Sequence, residues 1–167
     1  MKIATDDKAG QPDQKDPLRP ARRGDVSAMH RVRMAVRENR LNSLVLTEAD
    51  YLEAIEGPGC CGWVAEADGQ IVGFACGSAE SGNIWALFVD PEHEGRGFGR
   101  RLHDALVARL WSDGAKRLWL TTAPGTRAEG FYRKAGWQCR GSARNGELRF
   151  ELSGKPSGAF SPAKENE

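Results

Sequence analysis

No apolar run in the 167-residue sequence exceeds six residues, Ile84 to Val89, whereas a helix needs about 20 to cross a bilayer. A membrane-spanning protein is therefore not expected. An excess of one charge is missing too, since 24 Lys and Arg face 23 Asp and Glu for a formal charge of +1. Dedicated nucleic-acid binders carry a strong basic excess, and the arginines between positions 31 and 40 lack interleaved aromatics that could stack on bases. No nucleic-acid partner is expected. Cysteine is scarce, with only Cys60, Cys61, Cys76 and Cys139. Their spacing fits no zinc pattern, and two sequence neighbours rarely make a useful clamp. His30, His93 and His103 are scattered, so no metal site is expected. Residues 1–9 hold Asp6 and Asp7 and no apolar stretch, so no secretory leader is expected. Thiols used as small apolar side chains then point to a reducing cytoplasm.

Apolar residues are also sparse at both ends. Residues 1–16 mix Asp, Lys, Gln, Gly and Pro, and from 153 onward Gly, Ser, Pro, Lys and Glu dominate. Such segments bury too little to offset their ordering entropy, so flexible tails at 1–16 and 153–167 are expected. Residues 17–152 remain as one folded domain. Within it the hydrophobic period switches repeatedly between about 3.6 and 2. Asp25 is placed to cap a helix with a Val26, Met29, Val32, Val36 stripe running to about Asn39, and Thr47 starts a shorter helix. Two strands flank Asp68-Gly69, a strong hairpin signal, and a third covers 82–89. A long helix with Leu102, Leu106 and Leu110 on one face ends at Gly114. A strand at 116–122, a short helix at 127–134 and strands at 137–141 and 147–152 complete the domain, the last two joined at Asn145-Gly146. The expected fold class is α+β, a mixed, mostly antiparallel sheet with helices on both faces.

Chemistry concentrates where the strand ending Val89-Asp90-Pro91 runs into Glu94-Gly95-Arg96-Gly97-Phe98-Gly99-Arg100-Arg101 and a helix. Alternate glycines let the backbone turn tightly and present bare amides, and the helix amino terminus behind them adds partial positive charge. With three arginines nearby, this is a cradle for a diphosphate. It is neither a P-loop, lacking Gly-Lys-Ser/Thr, nor a Rossmann fingerprint, whose glycine spacing differs.

This stretch resembles the acetyl-CoA-binding motif of the GNAT N-acetyltransferases, written Arg/Gln-x-x-Gly-x-Gly/Ala. A second segment, Ala128-Glu-Gly-Phe131-Tyr132-Arg133-Lys134-Ala135-Gly136-Trp137, is similar to that family's Ala-x-x-Phe/Leu-Tyr-x-Lys-x-Gly-Phe, and Leu18-Arg19-Pro20-Ala21 with Asp25 is similar to its opening. Element order agrees as well. Two positions depart from the pattern. Glu94 stands where Arg or Gln opens the loop, so either it forms an ion pair with Arg96 or Arg100, or cofactor affinity is reduced. Gly125 stands where an Asn often precedes the second motif.

The resemblance implies an acetyl-CoA-dependent N-acetyltransferase that serves a small-molecule or protein amine by direct attack, as a monomer or homodimer. A non-catalytic acyl-CoA-binding or regulatory module on the same fold is the alternative. By the resemblance, Leu87, Phe88 and Val89 pair with the pantetheine arm on a strand whose bulge splays it from the strand near Arg117. Glu94, Gly95, Arg96, Gly97, Phe98, Gly99 and Arg100 form the cofactor loop. The Val89 amide donates to the acetyl carbonyl, and Tyr132 protonates the leaving thiolate. The family's occasional base position falls at Asn83, which leaves Glu38, Glu80, Glu147 or a water chain as proton acceptor. Acceptor contacts are expected at Glu38, Asn39, Trp85 and Glu147.

Overall fold

A computed structural model describes residues 17–36 and 46–154. Strand β1 (Leu18–Pro20) leads through a 3-10 turn into helix α1 (Val26–Ala35), and helix α2 (Glu48–Glu56) precedes strands β2 (Cys60–Ala67), β3 (Gln70–Ser78) and β4 (Ile84–Val89). Helix α3 (Phe98–Ser112), strand β5 (Arg117–Thr122), helix α4 (Arg127–Lys134) and strands β6 (Gln138–Ser142) and β7 (Leu148–Ser153) follow. None of the described helices is long and apolar enough to cross a membrane.

The strands form two sheets, ordered β1-β2-β3-β4 and β5-β7-β6, and every pairing within them is antiparallel. Among the described residues a single parallel bridge, Asn83 to Trp119, joins them. It is possible because Gly82 has no side chain, since a Cβ there would lie 2.2 Å from the Arg117 carbonyl oxygen. From this pin β4 and β5 run in the same direction without further pairing, so the two sheets open as a V.

Each face has its own core. Val26, Met29 and Val32 of α1 and Tyr51 and Ile55 of α2 pack on Val64, Phe74 and Ala86. On the other face Leu102, Leu106 and Leu110 of α3 and Tyr132 of α4 pack on Val72, Leu118, Leu120 and Phe150, spanning both sheets. Layers of helix on both faces of a mostly antiparallel sheet match the expected class.

Several boundaries differ from expectation. Helix α1 ends at Ala35, because Val36 takes an extended conformation, and the positions towards Asn39 lie outside the described residues. Asp25 makes no side-chain cap to that helix. Its carboxylate is taken instead by the Arg19 guanidinium at 2.8 and 2.9 Å and by the Arg22 amide at 2.7 Å, and the Arg19 hydrogen bonds hold it below the usual carboxylate range. Thr47 does cap α2, with Asp50 reciprocating at 2.7 Å. The third strand begins at Ile84 because Gly82 turns at φ +72° against β5. Trp137 drops out of β6, since its indole is committed to the core. The four cysteines are free, with Cys76 buried.

Candidate active site

The V exposes one edge of β4. Phe88 is registered against Phe74, and the Asp90 amide donates to the Val72 carbonyl at 2.7 Å. Backbone polar groups alternate sides along a strand, so Phe88 and Asp90 bond toward β3 while Leu87 and Val89 present both N–H and C=O to the V. Of the three residues expected along a pantetheine arm, two therefore carry the edge. Phe88 turns its side chain to the α1 face and packs on Phe74 at 5.7 Å. The expected bulge is present: β3 partners jump from Ala86 to Ile84, leaving Trp85 as the extra residue.

Beyond Val89 the chain makes a 3-10 turn at Pro91–His93, capped by Asp90. Gly95 and Gly97 then adopt φ of +76° and +85°, a region that glycine enters without strain. Gly97 is the cap residue of α3 and offers no side chain to its amides. The amides opening the helix at Phe98, Gly99 and Arg100 have no intrahelical acceptor and point out of the turn. Phe98 contributes its amide only; its ring is buried beside His93 and anchors the loop. Arg96 is exposed, Arg100 pairs with Asp104 at 3.1 Å, and Arg101 lies over the Phe98 ring.

Glu94 pairs with Arg127 at the start of α4, not with Arg96 or Arg100. Arg100 is engaged by Asp104 one turn along its own helix, whereas Arg127 reaches Glu94 across the mouth of the V. Gly125 turns at φ +76° and donates to Glu129 at 3.4 Å. A Cβ added to Gly99 would meet Val89 at 3.7 Å and Phe131 at 3.8 Å, so the end of β4, the start of α3 and the middle of α4 converge at this point.

Tyr132, next to Phe131, is 6% exposed. Its ring meets Trp137 and Phe131 edge-on at 5.5 and 5.3 Å. Burial pushes its phenol pKa well above the ordinary value of 10, which keeps it protonated. Trp137 is itself held, its Nε1–H donating to His103 Nε2 at 2.9 Å. That bond fixes the His103 proton on Nδ1, from which it donates to Asp104 at 2.8 Å. Burial lowers the His103 pKa, so the ring is neutral. Sequence reasoning left His103 unassigned, although its place among Leu102 and Leu106 was a signal that it is a core residue. Arg33 was also missed. It is 8% exposed, with its guanidinium 4.8 Å from both the Trp85 and Phe88 rings.

The remaining expected residues separate by location. Trp85 packs edge-on against Tyr51 on the α1 face. Glu147 accepts from the Thr121 hydroxyl at 2.6 Å, beside the V. Glu80 lies in a depression with Arg109, Lys116 and Arg117, at the far end of α3 and about 20 Å from the glycine loop, so it is not a proton acceptor there. Asn83 donates to the Trp119 carbonyl at 3.4 Å and serves the pin. Glu38 and Asn39 lie outside the described residues. Among the described residues no group of three His, Cys, Asp or Glu side chains could hold a metal ion.

A family model described as the Acetyltransferase (GNAT) family matches residues 28–137. The chain belongs to the GNAT acetyltransferase family. Similar solved structures include the PaiA N-acetyltransferase from Thermoplasma acidophilum in complex with coenzyme A (TM-score 0.70, 13% identity, 83% of this chain and 98% of that one). A phosphinothricin acetyltransferase from Sinorhizobium meliloti in complex with AcCoA is similar at TM-score 0.70 and 19% identity, over 89% and 94% of the two chains. The ribosomal-protein-S18-alanine N-acetyltransferase from Escherichia coli is similar at TM-score 0.64 and 16% identity, over 87% and 99%. At these identities the likeness concerns the fold. No curated protein sequence matches the chain.

Proposed function

We propose that the chain is an N-acetyltransferase that moves an acetyl group from acetyl-CoA to a primary amine of a small molecule or protein by direct attack. The observation that carries this reading is the unpaired β4 edge, whose Leu87 and Val89 amides lead straight to the Gly95–Gly97 turn and the open amino terminus of α3. An extended arm with amide groups fits the edge, and a diphosphate fits the turn. Acetyl-CoA, when bound, supplies an activated thioester. Leu87 pairs with the arm and fixes its depth. The Val89 amide donates to the acetyl oxygen, where negative charge grows during attack; one such donor is worth about 3–4 kcal/mol in the transition state. Tyr132, kept protonated by burial, gives its proton to the departing sulfur. No covalent enzyme intermediate is required, because the cysteines belong to no nucleophile motif.

The test is the thermal unfolding midpoint with acetyl-CoA, with CoA, NAD and ATP for comparison. At a hundredfold excess over Kd a ligand stabilises by about 2.7 kcal/mol, a rise of several degrees for a domain of this size. A rise with acetyl-CoA and CoA alone, followed by amine-dependent thiol release, supports the reading. A rise without thiol release favours a non-catalytic acyl-CoA-binding module. A flat result with acetyl-CoA removes both.

A further inference from the structure

Glu147 is positioned in a way that the turn around it does not require. The β6–β7 turn is already closed by main-chain bonds, from the Ala143 amide to the Glu147 carbonyl at 2.7 Å and from the Gly146 amide to Ala143 at 3.0 Å. The Glu147 amide is satisfied as well, by Asn145 Oδ1 at 3.1 Å. The carboxylate is then held separately. The Thr121 hydroxyl donates to its Oε2 at 2.6 Å and the Asn145 side-chain amide to the same oxygen at 3.1 Å. Both donors are neutral, and both use one oxygen, which leaves Oε1 to take a further N–H. The one acidic residue within the strands of this sheet is, by contrast, matched with cations. Glu151, two strand positions further along the same face from Arg149, has Arg149, Arg140 and Arg117 within 3.2, 3.3 and 3.9 Å.

Its location is equally specific. Leu118 and Leu120 of β5 point into the core beneath α3, so the alternation of the strand puts Thr121 on the opposite face. Thr121 therefore lies across the sheet from α3 and from the glycine turn, and it follows the Asn83–Trp119 pin on the side where the V opens. Val89 is reached in the same direction along β4. A carboxylate anchored at Thr121 thus faces the V from the side opposite the proposed cofactor loop.

The geometry points to Glu147 as the residue that receives the acceptor's ammonium group and takes its proton. This assignment rests on the acetyl-transfer reading above. The ammonium gives one proton to Glu147, directly or through one water. The freed nitrogen pair forms the C–N bond as the C–S bond breaks. A second proton leaves nitrogen and balances the one that Tyr132 gives to sulfur. The products are amide and CoA thiol, and one proton is released to solvent.

The experiment compares wild type with Glu147→Gln, which keeps the side-chain shape and an acceptor for Thr121. Thiol release from acetyl-CoA is followed from pH 6 to 9 with tyramine, an alanyl peptide and hydroxylamine, the last already neutral at pH 8. The expected result is a fall in kcat/KM of about 10²-fold at pH 7 for tyramine or the peptide, which shrinks as pH rises toward the pKa of the amine. At pH 8 the variant acetylates hydroxylamine within about threefold of the wild-type rate. Thr121→Val gives a smaller loss with the same steepened profile. Superimposable profiles, or a loss equal at every pH and for hydroxylamine too, overturn the assignment while acetyl transfer stands. Transfer by wild type to hydroxylamine alone does the same. No transfer to any of the three overturns both this assignment and the reading beneath it.

Discussion

Two buried side chains on the α3/α4 face do different work although they share the neighbours Phe131 and Trp137. Tyr132 and His103 both pack on Trp137, but in the proposed reaction only Tyr132 gives a proton to the leaving thiolate. Replacing Tyr132 by Phe keeps the ring among Phe131, Trp137 and Phe150 and deletes the hydroxyl alone. The expected outcome is a fall in kcat of about 10²-fold with the unfolding midpoint within two or three degrees of wild type. An unchanged rate with a good acceptor removes the acid role. His103 is instead expected to add a pH dependence to stability. Its ordinary pKa is 6.5, and burial lowers it in the folded chain. Below pH 6.5 the unfolded chain takes up a proton that the folded chain excludes. The His103 contribution is therefore complete above 6.5 and is lost as pH falls below it, by at most about 1.4 kcal/mol per unit. His103→Gln keeps an acceptor for the Trp137 indole and cannot titrate, so its unfolding midpoint should fall less steeply than wild type between pH 6.5 and 5. Parallel curves would show that His103 does not carry this dependence.

At the level of elements, the V is defined by what β4 pairs with and what it leaves open. Ala86 and Phe88 face β3 with their backbone groups, while Leu87 and Val89 face the opening. Amide hydrogen exchange read residue by residue should therefore be fast at Leu87 and Val89 and slow at Ala86 and Phe88 in the free protein. Added CoA should slow Leu87 and Val89 selectively. Uniform slowing along β4, or none, would mean that the edge does not take the arm. The closed end depends on Gly82. An alanine Cβ would meet the Arg117 carbonyl oxygen at 2.2 Å, a contact with rigid backbone, at a φ of +72°. Gly82→Ala should cost about 2–3 kcal/mol, visible as a lower midpoint in urea at unchanged slope. A cost below about 0.5 kcal/mol, the range of a neutral surface change, would show that the pin is not needed to join the sheets.

Across the whole molecule, what was legible in the sequence was what neighbouring residues decide. The apolar period marked α3, Asp68-Gly69 and Asn145-Gly146 marked hairpins, and the glycine spacing marked the turn that opens α3. The contacts that make these pieces a site join residues more than 30 positions apart: Asn83 with Trp119, Trp137 with His103, and Glu94 with Arg127. Local patterns carry no information about such pairs, so the partner of Glu94 was expected on its own loop and lies on α4 instead. That pair bears on ligand binding more than on stability. Its arginine is 72% exposed and its glutamate 32%, and pairs in such positions hold little folding energy. Beside the proposed diphosphate cradle the carboxylate is a different matter, since without Arg127 its charge would repel bound phosphates. One uncompensated charge a few ångströms from a phosphate in a watery mouth weakens binding about three- to tenfold. Arg127→Ala should therefore raise the acetyl-CoA Kd by that factor at low salt and move the unfolding midpoint by about a degree or less. Adding Glu94→Gln to the same chain removes the charge that Arg127 had neutralised, so the double variant should return most of the lost affinity, and raised salt should narrow the gap between single and double variants. Isothermal titration of wild type, Arg127→Ala, Glu94→Gln and the double variant closes the cycle. If the two substitutions weaken binding additively, Arg127 touches the ligand itself, and the neutralisation of Glu94 is not its role.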